Sequence, residues 1–160
     1  MNPAYVGLGS NLEDPVRQIE LAFELLDGID ATRLLAKSSL YESAPFGPVE
    51  QPNFVNAVAL LDTSLDSKTL LRNLQAIEDS QGRERQIRWG PRILDLDLLV
   101  HASYEIHDPD LTLPHPGIVE RNFVLLPLRE VAPDLVIPGL GRVSDIAVDE
   151  NEPMISHIQT

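Results

Sequence analysis

An α+β fold with an antiparallel sheet and packed helices is predicted by three features of this chain. Apolar residues recur at helical spacing in two stretches, Ile19–Leu26 and Leu70–Ile77. Four shorter apolar runs flank and separate them, each bounded by turn-forming residues or by a helix signal. The last of these runs, Ile93–Val100, carries two carboxylates one residue apart, the pattern of a strand with one polar face.

Taken in order, Tyr5–Leu8 reads as a short buried strand, closed by a turn at Gly9-Ser10-Asn11. The glycines of Gly7-Leu8-Gly9-Ser10 lack the third member of a dinucleotide-binding fingerprint, because position 12 is Leu12, so they are read as a tight turn into a helix. Pro15 suits the first turn of that helix, and Gly28 closes it. Thr32–Tyr41 alternates loosely and predicts a second strand. A loop over Glu42–Pro52 follows, marked by Pro45, Gly47, Pro48 and Pro52, and its length favours a functional role. Phe54–Leu61 is the third strand. Asp66 or Ser67 caps a helix that ends at Gly82. An arginine-bearing loop then leads into the strand Ile93–Val100. The order β-α-β-β-α-β is the split βαβ plan, a ferredoxin-like core with its helices on one face. Beyond it the sequence predicts a hairpin, a loop at Pro114-His115-Pro116-Gly117, a helix near Phe123–Val131, and a polar tail after Arg142 that frays.

A length of 160 residues fits one domain, 1–160. The absence of cysteine excludes a disulfide framework, a thiolate nucleophile and a zinc–thiolate cluster. No signal-like start and no apolar run of membrane-spanning length are present, so a cytoplasmic protein without a membrane partner is expected. The net charge of −13 argues against nucleic acid as a partner. The cations are gathered instead: Arg83, Arg85, Arg88 and Arg92 share one stretch of the chain, while Lys37 and Lys68 are the only lysines. An acidic protein with clustered arginines is suited to a small anion, although a solvated loop has the same composition.

Asp95 and Asp97 carry the chemistry. On a strand they share a face, with Leu94, Leu96 and Leu98 directed to the other. Adjacent carboxylates repel unless a cation lies between them, and hard oxygen ligands suit Mg²⁺. Guanidinium groups beside such a pair are what a polyphosphate requires. His115 is held between two prolines and Arg121 lies six residues on. Trp89 stands in a polar loop, where an aromatic stacks on planar ligands. Asn56, inside an apolar strand, suits a heterocycle edge as well as it suits a backbone partner. The pattern alone also fits a nucleotidyltransferase, or a binding module without turnover.

Four segments together resemble the 6-hydroxymethyl-7,8-dihydropterin pyrophosphokinase family of folate biosynthesis, over Tyr5 to about Pro133. They are Gly7–Leu12, Ser43–Pro48 with Gln51–Asn56, Arg88–Leu99, and Leu111–His115 with Arg121 and Phe123. The resemblance implies an ATP-dependent pyrophosphokinase releasing AMP, with two Mg²⁺ ions at Asp95 and Asp97. It implies catalytic roles for Arg83, Arg92, Asp95 and Asp97. It places Glu78, Arg83, Trp89, Arg92, Leu98, Thr112, His115 and Arg121 at ATP. The pterin falls to Ser43, Ala44, Pro45, Phe46, Phe54, Asn56, Trp89, Asp95 and Phe123, stacked between Phe54 and Phe123. A monomer acting on these two small molecules is expected.

Overall fold

The computed structural model describes residues 1–45, 50–81, 93–149, 151 and 153–158. In chain order its elements are β1 (Asn2–Ser10), α1 (Pro15–Asp27), β2 (Thr32–Lys37), β3 (Tyr41–Ser43), β4 (Phe54–Thr63), α2 (Ser67–Ser80) and β5 (Asp95–His101). There follow β6 (Ile106–Asp108), β7 (Leu111–Leu113), α3 (Asn122–Val131), β8 (Val136–Ile137), β9 (Gly141–Arg142) and β10 (Ile155–His157). The main sheet runs β10-β3-β4-β1-β5, with β2 also on β4, and every pairing is antiparallel. β1 and β2 flank β4, so the first βαβ unit is split as the order of elements predicts.

Helix limits follow local chemistry. Pro15 opens α1, and the N–H of Gly28 returns to the Leu25 carbonyl at 3.1 Å. Asp66 caps α2 by accepting from the Thr69 N–H at 2.8 Å. The predicted stop at Gly82 lies outside the described residues.

Four expectations are corrected. Gly9 and Ser10 are not a turn: β1 stays paired with β4 as far as Ser10–Val55, and with β5 as far as Gly9–Asp95. Thr32–Tyr41 is two strands, β2 on the far half of β4 and β3 on its near half. Between them buried Ser38 donates its N–H to Val58 O and accepts the Val58 N–H on its hydroxyl, both at 2.9 Å. The break therefore leaves that stretch of β4 satisfied. Glu42 and Ser43 accordingly belong to β3 rather than to the loop. The tail after Arg142 is also docked: Val143 is buried and β10 pairs with β3.

Two cores lie on opposite faces of the sheet. Leu94, Leu96 and Leu98 join Ile19, Ala22, Leu26, Leu70 and Leu74 beneath α1 and α2. Tyr5, Val58, Leu99 and Val100 join Leu125, Leu128, Ile137 and Val143 beneath α3. The helices of the split βαβ core share one face as predicted, and α3 with the C-terminal additions covers the other.

Candidate active site

Residues directly paired in an antiparallel sheet project to the same face. One row across this sheet reads Asp95, Gly9, Asn56, Tyr41, and the next reads Asp97, Gly7, Val58. Both carboxylates are half-buried and stand on the α3 face, opposite to the leucines between them. Their neighbours on β1 are glycines: the sheet is bare at Gly9 beside Asp95, whereas the Leu99 side chain packs over Gly7 beside Asp97. A β-carbon at Gly9 would lie 3.6 Å from Asn56 Oδ1, and one at Gly7 would meet Leu99 Cδ1 at 3.4 Å. Gly9 leaves an open floor between Asp95 and Asn56, a feature that no local pattern announces because it depends on register between strands distant in sequence.

Among the described residues β5 is an edge strand, and its outer N–H groups meet no neighbouring strand there. Glu78, buried on α2, fills this role by accepting the Leu96 N–H at 2.8 Å. Leu96 lies between the two aspartates, so α2 holds the backbone that spaces them. The side chain of Leu98 is in the core beneath α1 and α2, away from the carboxylate face.

Along the same face, Phe54 pairs with Ser43, and buried Asn56 donates its amide N–H to Ser43 Oγ at 2.7 Å. That bond orients the amide and directs Oδ1 toward the glycine floor. Asn11, also buried, donates to Gln51 Oε1 at 2.8 Å and to Pro52 O at 2.9 Å, tying the approach to β4 onto the end of β1. Ala44 and Pro45 continue from β3 and are half-buried.

The Pro-His-Pro loop is fastened to β5 by the His115 N–H to the Leu99 carbonyl at 2.8 Å. The Gly117 N–H donates to His115 Nδ1 at 3.0 Å, so the neutral ring carries its proton on Nε2. Burial lowers the His115 pKa; the negative charge of Asp97 opposes this and the positive charge of Arg121 adds to it. Asp97 and Arg121 each act electrostatically on the His115 ring. A β-carbon at Gly117 would lie 2.9 Å from Arg121 Nε and 3.2 Å from His115 Cε1, so glycine permits their close approach. Phe123 lies in the first turn of α3, two residues after the N-cap Arg121, and Thr112 lies on β7, which packs on β5. Phe46, Arg83, Trp89 and Arg92 lie outside the described residues.

Among the described residues no group of three or more His, Asp or Glu is arranged as a metal cage. Two carboxylates on one face are nonetheless a donor set suited to Mg²⁺, which retains waters and binds substrate phosphates rather than filling an all-protein cage.

The family model described as 7,8-dihydro-6-hydroxymethylpterin-pyrophosphokinase matches residues 5–133. A 2-amino-4-hydroxy-6-hydroxymethyldihydropteridine pyrophosphokinase of Haemophilus influenzae is 44% identical over 146 residues, 91% of each chain. Its Pseudomonas aeruginosa namesake is 52% identical over 134 residues, 84% of this chain and 83% of that one. A Plasmodium falciparum HPPK-DHPS crystal structure superposes with a TM-score of 0.72 at 16% identity, covering 91% of this chain. That likeness bears on the fold, and this chain spans 43% of the longer Plasmodium chain. With its carboxylate pair, glycine floor and split βαβ core, the chain belongs to the 7,8-dihydro-6-hydroxymethylpterin-pyrophosphokinase family.

Proposed function

We infer that this protein transfers a pyrophosphoryl group from ATP to the hydroxymethyl oxygen of 6-hydroxymethyl-7,8-dihydropterin, a step of folate biosynthesis. In the reaction the hydroxyl oxygen attacks the β-phosphorus of ATP. The bond from that phosphorus to the α,β-bridging oxygen breaks, AMP leaves, and the hydroxyl proton is released. The observation that carries this reading is the row joining Asp95 to Asn56 across a bare Gly9. It sets an anionic metal-binding edge beside an amide suited to a heterocycle, on one face of one sheet.

The pterin lies over the glycine floor, with its ring between Phe54 and Phe123 and its edge read by Asn56 Oδ1. Ser43 orients that amide, and the family resemblance assigns Ala44, Pro45 and Phe46 to the pterin. Asp95 and Asp97 would hold two Mg²⁺ ions, which would neutralise phosphate charge and lower the pKa of the attacking hydroxyl. Arg121 is assigned to the triphosphate, as the family resemblance assigns Arg83 and Arg92, and the Nε2 proton of His115 is available to a phosphate oxygen. The family resemblance assigns Thr112 to the nucleotide and Trp89 to both substrates. Glu78 acts on the site from behind, through Leu96.

The reading implies the cytoplasm, where ATP is available, and a monomer as the working unit; no helix among the described residues is long and apolar enough to cross a membrane. Incubation with ATP, Mg²⁺ and 6-hydroxymethyl-7,8-dihydropterin, followed by separation of the adenine nucleotides, tests it. Pterin-dependent AMP is expected. ADP, or a nucleotidylated pterin with free pyrophosphate, overturns the assigned reaction.

A further inference from the structure

The walls of the slot just described are joined by a segment that the reaction does not use. One wall begins at β3 and Ala44; the other is the start of α3, where Phe123 lies. Residues 153–158 run between them. The Ala44 N–H donates to Met154 O at 2.9 Å, and β10 pairs Ile155 with Ser43, Ser156 with Glu42 and His157 with Tyr41. The Ile158 N–H then reaches Leu40 O at 2.8 Å. On the other side buried Asn122, adjacent to Phe123, donates to Pro153 O and to Asp149 O, each at 2.7 Å. Two carbonyl acceptors fix the amide orientation, because a flipped Asn122 would face them with its own oxygen.

The far end of the same unit is latched as well. Glu130, in the last turns of α3, accepts from the Ser39 N–H at 2.8 Å, the Ser39 hydroxyl at 2.9 Å and the Tyr41 hydroxyl at 2.6 Å. His157 Nε2 lies 3.8 Å from Glu130 Oε1, and its ring meets Tyr41 edge-on with centroids 4.6 Å apart. α3, the tail and β3 therefore form a closed loop of contacts, attached at Asn122, along β10 and at Glu130. This segment lies beyond the residues 5–133 that the family model matches.

We propose that the C-terminal segment 153–158 is a strap that sets the width of the pterin slot, and that Asn122 is its positioning residue. The proposal rests on the pterin reading of the slot. Asn122 ties the strap to the wall that carries Phe123, and the β10–β3 ladder ties it to the wall that carries Ser43 and Ala44. Loosening the first tie frees the two walls to move apart. An aromatic stack and an edge contact both fall off steeply with separation, whereas Asp95, Asp97 and His115 are held independently by β1, α2 and the Leu99 carbonyl.

The test compares wild-type protein with Asn122→Ala, which removes both donors, and Ser156→Pro, which breaks the ladder at an exposed position on the edge strand. Ser156→Pro leaves the core untouched should Asn122→Ala fail to fold. Dissociation constants for 6-hydroxymethylpterin and for a non-hydrolysable ATP analogue are measured by calorimetry, and exchange of the Ala44 amide by NMR. Both variants should exchange the Ala44 amide faster and bind pterin about tenfold more weakly, while the affinity for the ATP analogue stays within about twofold. Faster Ala44 exchange with unchanged pterin affinity overturns the strap. Equal loss of both ligands overturns it too, since that is the signature of general destabilisation. Wild-type protein that binds the ATP analogue but no pterin overturns the underlying functional reading, and the strap's role with it.

Discussion

Glu78 offers the sharpest test of how the carboxylate pair is held. Its Oε2 accepts the Leu96 N–H at 2.8 Å, on the outer edge of β5, and the side chain is 4% exposed. Glu78→Ala would leave that N–H buried without this acceptor, a cost of about 1–3 kcal/mol. The vacated volume adds about 1 kcal/mol, because the surrounding leucines can close only part of it. A total of about 2–4 kcal/mol follows, which in a chain of this size lowers the melting temperature by roughly 5–15 °C. Glu78→Gln retains an acceptor of the same reach and should cost about 1 kcal/mol. Urea denaturation followed by far-ultraviolet circular dichroism measures both, with the midpoint shifting at constant slope. Turnover should fall about tenfold in the alanine variant, as Asp95 and Asp97 lose their common backbone support. The reasoning fails if Glu78→Ala unfolds within about 0.5 kcal/mol of wild type. It fails equally if the glutamine variant is as unstable as the alanine one, since charge rather than the hydrogen bond would then be responsible.

Asp95→Asn and Asp97→Asn should each reduce kcat by about 10³-fold or more while leaving the circular dichroism spectrum unchanged, because both side chains are half-buried and belong to neither core; a rate within tenfold of wild type would remove the metal assignment. Gly9→Ala is expected to fold normally, since its β-carbon lies in ordinary contact 3.6 Å from Asn56 Oδ1. Its KM for pterin should rise by about tenfold with KM for ATP unchanged, and a parallel rise in both would mean that the glycine is not a pterin floor. His101 is fully buried, with Nδ1 2.6 Å from Ser67 Oγ, and burial lowers its pKa below 6.5, against a smaller opposing influence of Asp66. A lowered folded pKa means that the unfolded chain binds more protons, so stability is complete above about pH 6.5 and declines as pH falls from there toward the folded value. Urea midpoints between pH 7.5 and 5.5 should show this decline and a smaller one in His101→Gln; identical profiles would place the titration elsewhere.

Features with local causes were legible in the sequence: Asp95 and Asp97 on one face of a strand, Pro15 at a helix start and Asp66 at a cap each follow from a few neighbouring residues. What the sequence left hidden was decided by partners far along the chain. Gly7 and Gly9 look like a turn until β1 is seen paired on both sides as far as Gly9. Ser38 gives no local sign that its hydroxyl will take the Val58 N–H and so divide one strand into two. Ile155–His157 is too short to show a period of two, and becomes a strand only because β3 presents an edge to it. Leu98 and Glu78 are among the residues the resemblance places at ATP; no local pattern tells that the Leu98 side chain joins the core beneath α1 and α2 or that Glu78 accepts the Leu96 N–H.

The pairing of β1 with β5 also guards against error. Leu94, Leu96 and Leu98 on one side and the two aspartates on the other alternate without a gap, so a slip of one residue would turn both carboxylates into the leucine core. Such a slip would cost several kcal/mol for each carboxylate buried without a partner. The apolar interior therefore rejects any chain whose acidic edge is misregistered. A molecule that has folded at all has already set its two aspartates above the glycines, and correct assembly and competence for chemistry become a single event.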